Sequence, residues 1–248
     1  DNAYPDGLAN SSGLVGRRLM MHPVVSVAGV YEDDLETQLG PAGSPLLSYQ
    51  FYETDPDRGF PRGAKWDCLP IPGVTGYLDR LDHLELADRI GSSWHATARR
   101  YVGHTFDWII NIEDLPAESN SVTLDPELTD SDGVPAPRIR YRLSEHSKAN
   151  IAFQVDRARE AHEAGGSIET FVTDWMPESG WHLLGTARAG TDPGTSVVDG
   201  YGRSHDVPNL VIVDGSVFVT AGAVNPTSTI AAFALRAAED IVRRGARG

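Results

Sequence analysis

The stretch that most constrains the fold of this 248-residue chain runs from residue 180 to residue 244. Its apolar run Leu210–Val213 is bounded by Pro-Asn before and Asp-Gly after, which predicts a short, buried, parallel strand. Asn225-Pro226 then predicts the start of a helix, because a capping residue precedes a proline suited to the first helical position. A strand, a polar turn and a helix N-terminus together predict a seat for an anionic or carbonyl-rich ligand.

The helix predicted after this turn is rich in alanine and other apolar residues from Ile230 to Val242. That composition predicts a largely buried helix. Arg243 and Arg244 follow near its end, where the helix dipole favours cations, and Gly245 provides a stop.

Three motifs of this stretch together resemble the C-terminal signature of the glucose-methanol-choline (GMC) oxidoreductases, FAD enzymes that oxidise alcohols. They are His182 with its following Gly-Thr and Arg188, the run from Val211 to Phe218, and Val224-Asn-Pro-Thr before the alanine-rich helix. The resemblance implies a mixed α/β (α+β) fold. It would combine an antiparallel-sheet substrate domain with the C-terminal part of a Rossmann-like FAD-binding domain.

By the same resemblance, His182 is the catalytic base and Asn225 is its partner. A neutral imidazole suits the removal of a hydroxyl proton, because its ordinary pKa of about 6.5 lies near working pH. Asn225 would donate a hydrogen bond to the same substrate oxygen. The alternatives are a structural histidine beside Trp181 and an asparagine that only caps the helix.

The resemblance also implies contacts with FAD from the turn and from the start of the helix. The implied cofactor-binding residues are Asp214, Gly215, Asn225, Pro226, Thr227 and Ser228. The helix N-terminus would face the electron-rich end of the flavin ring, where its dipole stabilises added negative charge. The alternative for Asp214 is an aspartate that only forms the turn.

The domain division implied by the resemblance has three parts. Residues 1–22 would belong to the FAD-binding domain, residues 23–176 would form the substrate domain, and residues 177–248 would complete the FAD-binding domain with the catalytic pair. His22, before a proline, is better explained as a structural histidine than as a flavin contact.

The sequence predicts strands at 24–31, 46–52, 106–112, 121–124 and 138–142, and helices at 77–90 and 144–164. Turn-length links between these strands predict an antiparallel sheet with helices on one side.

A dinucleotide-binding fingerprint of the form Gly-x-Gly-x-x-Gly is missing from the sequence. The family places that fingerprint near the N-terminus of a much longer chain. We therefore expect this chain to be the C-terminal half of the enzyme and its partner to be the N-terminal half.

The formal net charge of −14 disfavours nucleic acid as a partner, because phosphates would be repelled. No apolar run approaches the roughly 20 residues that cross a bilayer. The single cysteine, Cys68, allows no internal disulfide and fits a cytoplasmic setting, and the sequence predicts no metal site.

The likeness is greatest to family members that oxidise pyranoses and glycosides. We therefore expect FAD-dependent oxidation of a secondary ring hydroxyl of a sugar or glycoside to the ketone, with oxygen or a quinone as electron acceptor. Leu183-Leu184 and Ala189 depart from the residues common in the family and alter the pocket wall rather than the catalytic pair. The alternatives are oxidation of another alcohol, a non-redox activity like that of hydroxynitrile lyases, and a non-catalytic carbohydrate-binding descendant.

Overall fold

The computed structural model describes residues 4–39, 43–70, 90–173, 175 and 180–245. The chain divides into two compact units. The first unit comprises residues 1–22, 113–144 and 180–248, and the second comprises residues 23–112 and 145–179. The range 113–144, expected in the substrate domain, thus groups with the first unit. The functional division into 1–22, 23–176 and 177–248 stays a prediction.

The second unit is built on a five-stranded sheet. Its strands are β1 Val24–Val30, β2 Leu46–Ser48, β3 Ala64–Pro70, β4 Thr105–Ile112 and β7 Glu169–Thr173. They lie in the order β2-β3-β4-β1-β7, and each neighbouring pair is antiparallel. The sequence predicted strands at the positions of β1, β2 and β4, but not at those of β3 and β7. The predicted mixed α/β fold with an antiparallel sheet is thereby confirmed.

The sequence did not predict strand β3, because Gly63 directly before it and Pro70 at its end are residues that usually interrupt strands. Its alternation nevertheless places Ala64 and Trp66 on one face of the sheet, opposite Ile112 and Ile110 of β4. These side chains belong to the buried core of the unit, together with Ala158 of helix α2.

Helix α2, Glu145–Ala164, confirms the helix predicted at 144–164. The helix ends at Gly165-Gly166: Gly166 has φ +86, and its N–H donates to the carbonyl of Glu163.

The buried face of α2 carries polar side chains, each with a hydrogen-bond partner. Asn150 donates to the carbonyl of Gly63, and Gln154 accepts from the indole N–H of Trp66 at 2.8 Å. Core burial therefore includes a hydrogen-bonded layer that hydrophobic periodicity does not reveal.

A short helix, α1 at Trp94–Tyr101, precedes β4 and was not predicted. The helix predicted at 77–90 lies outside the described residues, apart from its last residue. Trp66, Trp108 and Trp175 pack in or against the main core, and Trp94 packs against Val30 and Tyr101. These four tryptophans therefore contribute to core packing.

Within the first unit, strands β5 (Ser121–Thr129) and β6 (Pro135–Arg140) form a two-stranded antiparallel ladder linked by the predicted turn at 130–133. They were expected in the larger sheet, but they pair with each other instead. The rest of this unit consists of tight loops and helix α3, Thr227–Gly245. Its main core comprises Ala187, Val197, Val198 and Val217.

Two predictions about the C-terminal stretch are wrong. Leu210–Val213 is not a buried strand: Val211 forms a single antiparallel bridge with Arg203, and Val213 is 38% exposed. A full strand needs a neighbour that pairs along its length, and the short segment at 202–204 pairs only locally. Helix α3 starts directly after the predicted Asn225-Pro226, but it is not largely buried in this chain, because Leu235 and Val242 are 68% and 69% exposed.

Candidate active site

The candidate site rests on two extended segments of the first unit that pair antiparallel. Met20 and Leu184 exchange both backbone hydrogen bonds, at 2.9 and 3.0 Å, and both side chains are buried. His22 lies two residues after Met20, and His182 lies two residues before Leu184. The pairing shifts by one residue here, because the backbone N–H of His22 donates to the carbonyl of Trp181 at 3.3 Å. The Met20–Leu184 pair nevertheless brings the two histidines close together.

His182 adopts a left-handed backbone conformation, with φ +59. This region is uncommon for a residue with a side chain, and holding one there costs on the order of 1–3 kcal/mol. The neighbouring Gly185, at φ +92, lets the chain approach the first segment, since a Cβ there would lie 2.5 Å from the carbonyl oxygen of Arg18. The surrounding backbone therefore imposes an unfavourable conformation on the predicted base, which supports a functional rather than a structural histidine.

The imidazoles of His22 and His182 are in direct contact. Their Nδ1 atoms lie 2.9 Å apart, and the rings meet edge to face with centroids 4.9 Å apart. His22 is only 1% exposed, whereas His182 is half-buried. The sequence analysis did not place His22 in the site, because its partner lies 160 positions away and no local motif marks the pair.

Asn225 approaches the opposite side of the His182 ring. Its Nδ2 lies 3.5 Å from Nε2 of His182, and its side chain is exposed. The following Pro226 begins the helical turn, and its carbonyl accepts from Ile230 N at 2.9 Å. The structure thus brings together the two residues that the sequence analysis paired, and a hydroxyl oxygen held near both would meet one basic nitrogen and one amide donor.

The turn before α3 is organised by Asp214. Its Oδ1 accepts from Ser216 N at 2.8 Å and caps the short 3₁₀ turn Gly215–Val217. Gly215 is buried, and a Cβ there would lie 2.6 Å from Leu184 Cδ2 and 2.9 Å from the carbonyl oxygen of Leu183. This turn therefore packs directly beneath the segment that carries His182.

The start of α3 presents Asn225, Thr227 and Ser228 at the surface, whereas Pro226 is buried. The first N–H groups of a helix have no partner within it and carry partial positive charge. An exposed helix start next to His182 and Asn225 therefore fits the electron-rich edge of a flavin. The carboxylate of Asp214 is exposed as well, although its capping hydrogen bond also explains it as a turn residue.

Two further histidines of the described residues have local partners of their own. His162 is fully buried, with Nδ1 2.8 Å from the Tyr31 hydroxyl and Nε2 3.0 Å from the carbonyl of Val27. Burial lowers the pKa of this imidazole, so it stays neutral inside the second unit. His205 is half-buried, with Nε2 2.9 Å from Ser196 Oγ.

Comparison with known proteins agrees with these features. Residues 116–234 match a family model described as GMC oxidoreductase. A 2-methyl-1,2-propanediol dehydrogenase of Mycolicibacterium austroafricanum is 42% identical over 97% of this chain. A pyranose 2-oxidase of Tricholoma matsutake is 30% identical over 71%. The expected greatest likeness to sugar-oxidising members is thus not supported, because the diol dehydrogenase matches more of the chain at higher identity.

Solved structures agree on the fold. Pyridoxine 4-oxidase from Mesorbium loti superimposes with a TM-score of 0.59 and 18% identity, covering 91% of this chain and 43% of that one. The chain likewise spans 44% of the diol dehydrogenase and 34% of the pyranose 2-oxidase. It therefore corresponds to part of each of these proteins.

No helix among the described residues has the length and apolarity to cross a membrane. The family is FAD-dependent and acts on CH–OH donors. Residues 116–234 therefore correspond to the C-terminal domain of the GMC oxidoreductases, and the chain as a whole is similar in sequence and fold to part of these proteins.

Proposed function

We propose that the protein oxidises an alcohol, with His182 as general base, Asn225 as hydrogen-bond donor and FAD as hydride acceptor. The observation that supports this most directly is the convergence of His182 Nε2 and Asn225 Nδ2, 3.5 Å apart, at the exposed start of α3. A basic nitrogen and an amide donor facing one point are what a single hydroxyl group requires.

In this mechanism the substrate hydroxyl donates to His182 Nε2 and accepts from Asn225 Nδ2. When bound, FAD supplies the acceptor for the hydride that leaves carbon. The hydroxyl proton passes to Nε2, and the carbon–oxygen bond becomes a carbonyl. Asn225 keeps its hydrogen bond to the oxygen throughout, so it orients the substrate without changing charge. A positioned general base typically contributes about 10²–10⁴-fold in rate.

The exposed helix start and the preceding turn are the proposed cofactor contacts. Pro226, Thr227 and Ser228 would offer the positive end of the helix dipole to the flavin ring, and the turn Asp214-Gly215 would line the cofactor beyond it. Both features lie next to the segment of His182, since Gly215 packs against Leu183 and Leu184.

The exposed apolar face of α3 is the proposed contact for the N-terminal portion of the protein. Leu235, Ile241 and Val242 are 68%, 48% and 69% exposed, and Leu235 and Val242 line a shallow apolar depression with Ala238. Burying such a face gives roughly 25 cal/mol per Å² of apolar surface. The occupant we propose is the portion that bears the dinucleotide fingerprint, because the relatives that match this chain are more than twice as long as the part it covers.

The substrate class is proposed from two sources. The 42% identical relative is a dehydrogenase of a small diol, which makes 2-methyl-1,2-propanediol the first compound to test. The expected secondary ring hydroxyl of a sugar or glycoside is the second candidate, because a pyranose 2-oxidase is also among the relatives.

The test is an anaerobic visible spectrum of the FAD-loaded protein before and after addition of diols, sugars and glycosides. Bleaching of the flavin band by one compound is expected, and His182→Ala should slow that bleaching by about 10²–10⁴-fold while FAD stays bound. His146→Ala is the matched control, because His146 is exposed in the first turn of α2. Equal rates in wild type and His182→Ala would refute the assigned base. A flavin that no compound bleaches would favour a non-redox member or a carbohydrate-binding protein.

A further inference from the structure

We propose that His22 is a positioning residue for the reaction: it accepts a hydrogen bond from His182 and thereby fixes the tautomer in which His182 is a base. The inference rests on the proposed function of His182. It adds to that function a second histidine which the sequence motif does not contain.

The contact between the two Nδ1 atoms requires one donor and one acceptor, and the proposed role of His182 as base sets which ring donates. At 2.9 Å the two nitrogens share one proton, so one ring donates and the other accepts. A neutral imidazole carries one N–H, and His182 can accept a substrate proton at Nε2 only if that N–H is on Nδ1. His182 Nδ1–H therefore donates to His22 Nδ1, and the proton of His22 lies on its Nε2.

The surrounding structure holds His22 in the accepting position. The ring of His22 is almost completely buried, and its backbone N–H donates to the carbonyl of Trp181. The preceding residue is tied down as well: Met21 N donates to Asp114 Oδ2 at 3.3 Å, and Tyr141 donates to the same oxygen at 2.7 Å. The pairing of Met20 with Leu184 completes this support. His22 is thus fixed from both sides against the ring that it orients.

A neutral acceptor at this position serves both protonation states of the base. Before the reaction, it accepts from the Nδ1–H of His182 and so keeps Nε2 unprotonated, in the form that can accept the hydroxyl proton. After the proton arrives at Nε2, His182 is an imidazolium whose Nδ1–H still donates to His22. The hydrogen bond is therefore kept while the charge of His182 changes, so the ring does not need to reorient during the proton transfer.

Two substitutions separate this role from simple packing. His22→Leu keeps an apolar side chain in the buried position but removes the acceptor. His22→Asn keeps an acceptor, because the amide oxygen of Asn lies about as far from the backbone as Nδ1 of His. We expect His22→Leu to lower the limiting rate of flavin reduction about 10–100-fold, as loss of an orienting partner typically does, with little change in the substrate Kd. His22→Asn should restore most of the rate.

The rates are measured by anaerobic stopped flow on the FAD-loaded protein, with 2-methyl-1,2-propanediol or whichever alcohol bleaches the flavin. Wild-type protein labelled with ¹⁵N-histidine provides an independent readout, in which His182 should show a protonated Nδ1 and an unprotonated Nε2. A protonated Nε2 in neutral His182 would overturn the proposal even if the His22 variants fail to fold. Equal rates in wild type and His22→Leu would overturn it as well, and so would equal losses in the Leu and Asn variants.

His182→Gln in the same experiment separates the two hypotheses. If His182→Gln reduces its flavin as fast as wild type, the proposed function of His182 fails. If His182→Gln loses the reaction while His22→Leu keeps it, only the positioning role of His22 is refuted.

Discussion

Substituting Gly215→Ala should destabilise the first unit and displace the segment that carries His182. A Cβ at this position would lie 2.6 Å from Leu184 Cδ2 and 2.9 Å from the carbonyl oxygen of Leu183, whereas carbon atoms pack favourably at about 3.5–4.0 Å. Leu184 is 1% exposed and packs against Met20 and Ala221, so it has little room to withdraw. The carbonyl of Leu183 belongs to the backbone and moves only with the chain.

The expected cost lies toward the upper end of the 1–3 kcal/mol typical of overpacked cores, about 3 kcal/mol. For a chain of this size that corresponds to a decrease in Tm of roughly 6–12 °C. Differential scanning calorimetry measures the Tm, and urea unfolding measures the free energy of unfolding. Because Leu183 adjoins His182, a decrease in the rate of flavin reduction should accompany the loss of stability.

Gly194→Ala is the matched control in the same unit. Gly194 is exposed, and a Cβ there would meet only the carboxylate of Asp192, at 3.4 Å and beyond. Alanine limits the backbone conformations of the unfolded chain more than glycine does. Gly194→Ala should therefore leave the free energy of unfolding unchanged or raise it by about 0.4–1 kcal/mol. If Gly215→Ala melts at the same temperature as Gly194→Ala, the close packing of the turn against Leu184 is refuted.

Two further predictions concern the buried polar layer of the second unit. Gln154→Leu leaves the buried indole N–H of Trp66 without its acceptor, and we expect a loss of about 1–3 kcal/mol in urea unfolding. Combining it with Trp66→Phe should cost less than the sum of the single changes, and strict additivity would exclude the interaction. Burial lowers the pKa of His162, so its unfolded form binds the proton more tightly. The contribution of neutral, buried His162 to the free energy of unfolding is complete above about pH 6.5, the ordinary pKa of histidine. It decreases as the pH falls from there toward the lower pKa that His162 has in the folded protein. Unfolding free energies from pH 7 to 5 should therefore fall more steeply in wild type than in His162→Gln, and parallel curves would contradict this.

Local signals explain which elements the sequence predicted correctly. Strand β1 is a run of valines and small residues, and helix α2 ends at a glycine pair whose conformational freedom suits a helix terminus. Such signals depend on neighbouring residues and on backbone geometry. Strands β3 and β7 lack strong local patterns and owe their conformation to pairing with β4 and β1, which no short window of sequence records.

The candidate site, too, combines residues that local sequence signals predicted with one that only the tertiary structure revealed. From the sequence alone, the motif around His182 and the Asn-Pro start of the last helix were enough to pair His182 with Asn225. Only the tertiary structure decided that His22 faces His182, since backbone pairing of Met20 with Leu184 joins segments about 160 positions apart. It also decided that Leu210–Val213 is a single bridge and that α3 exposes its apolar face. The physical reason is that caps, turns and side-chain chemistry are local, whereas register and burial depend on which distant surfaces meet.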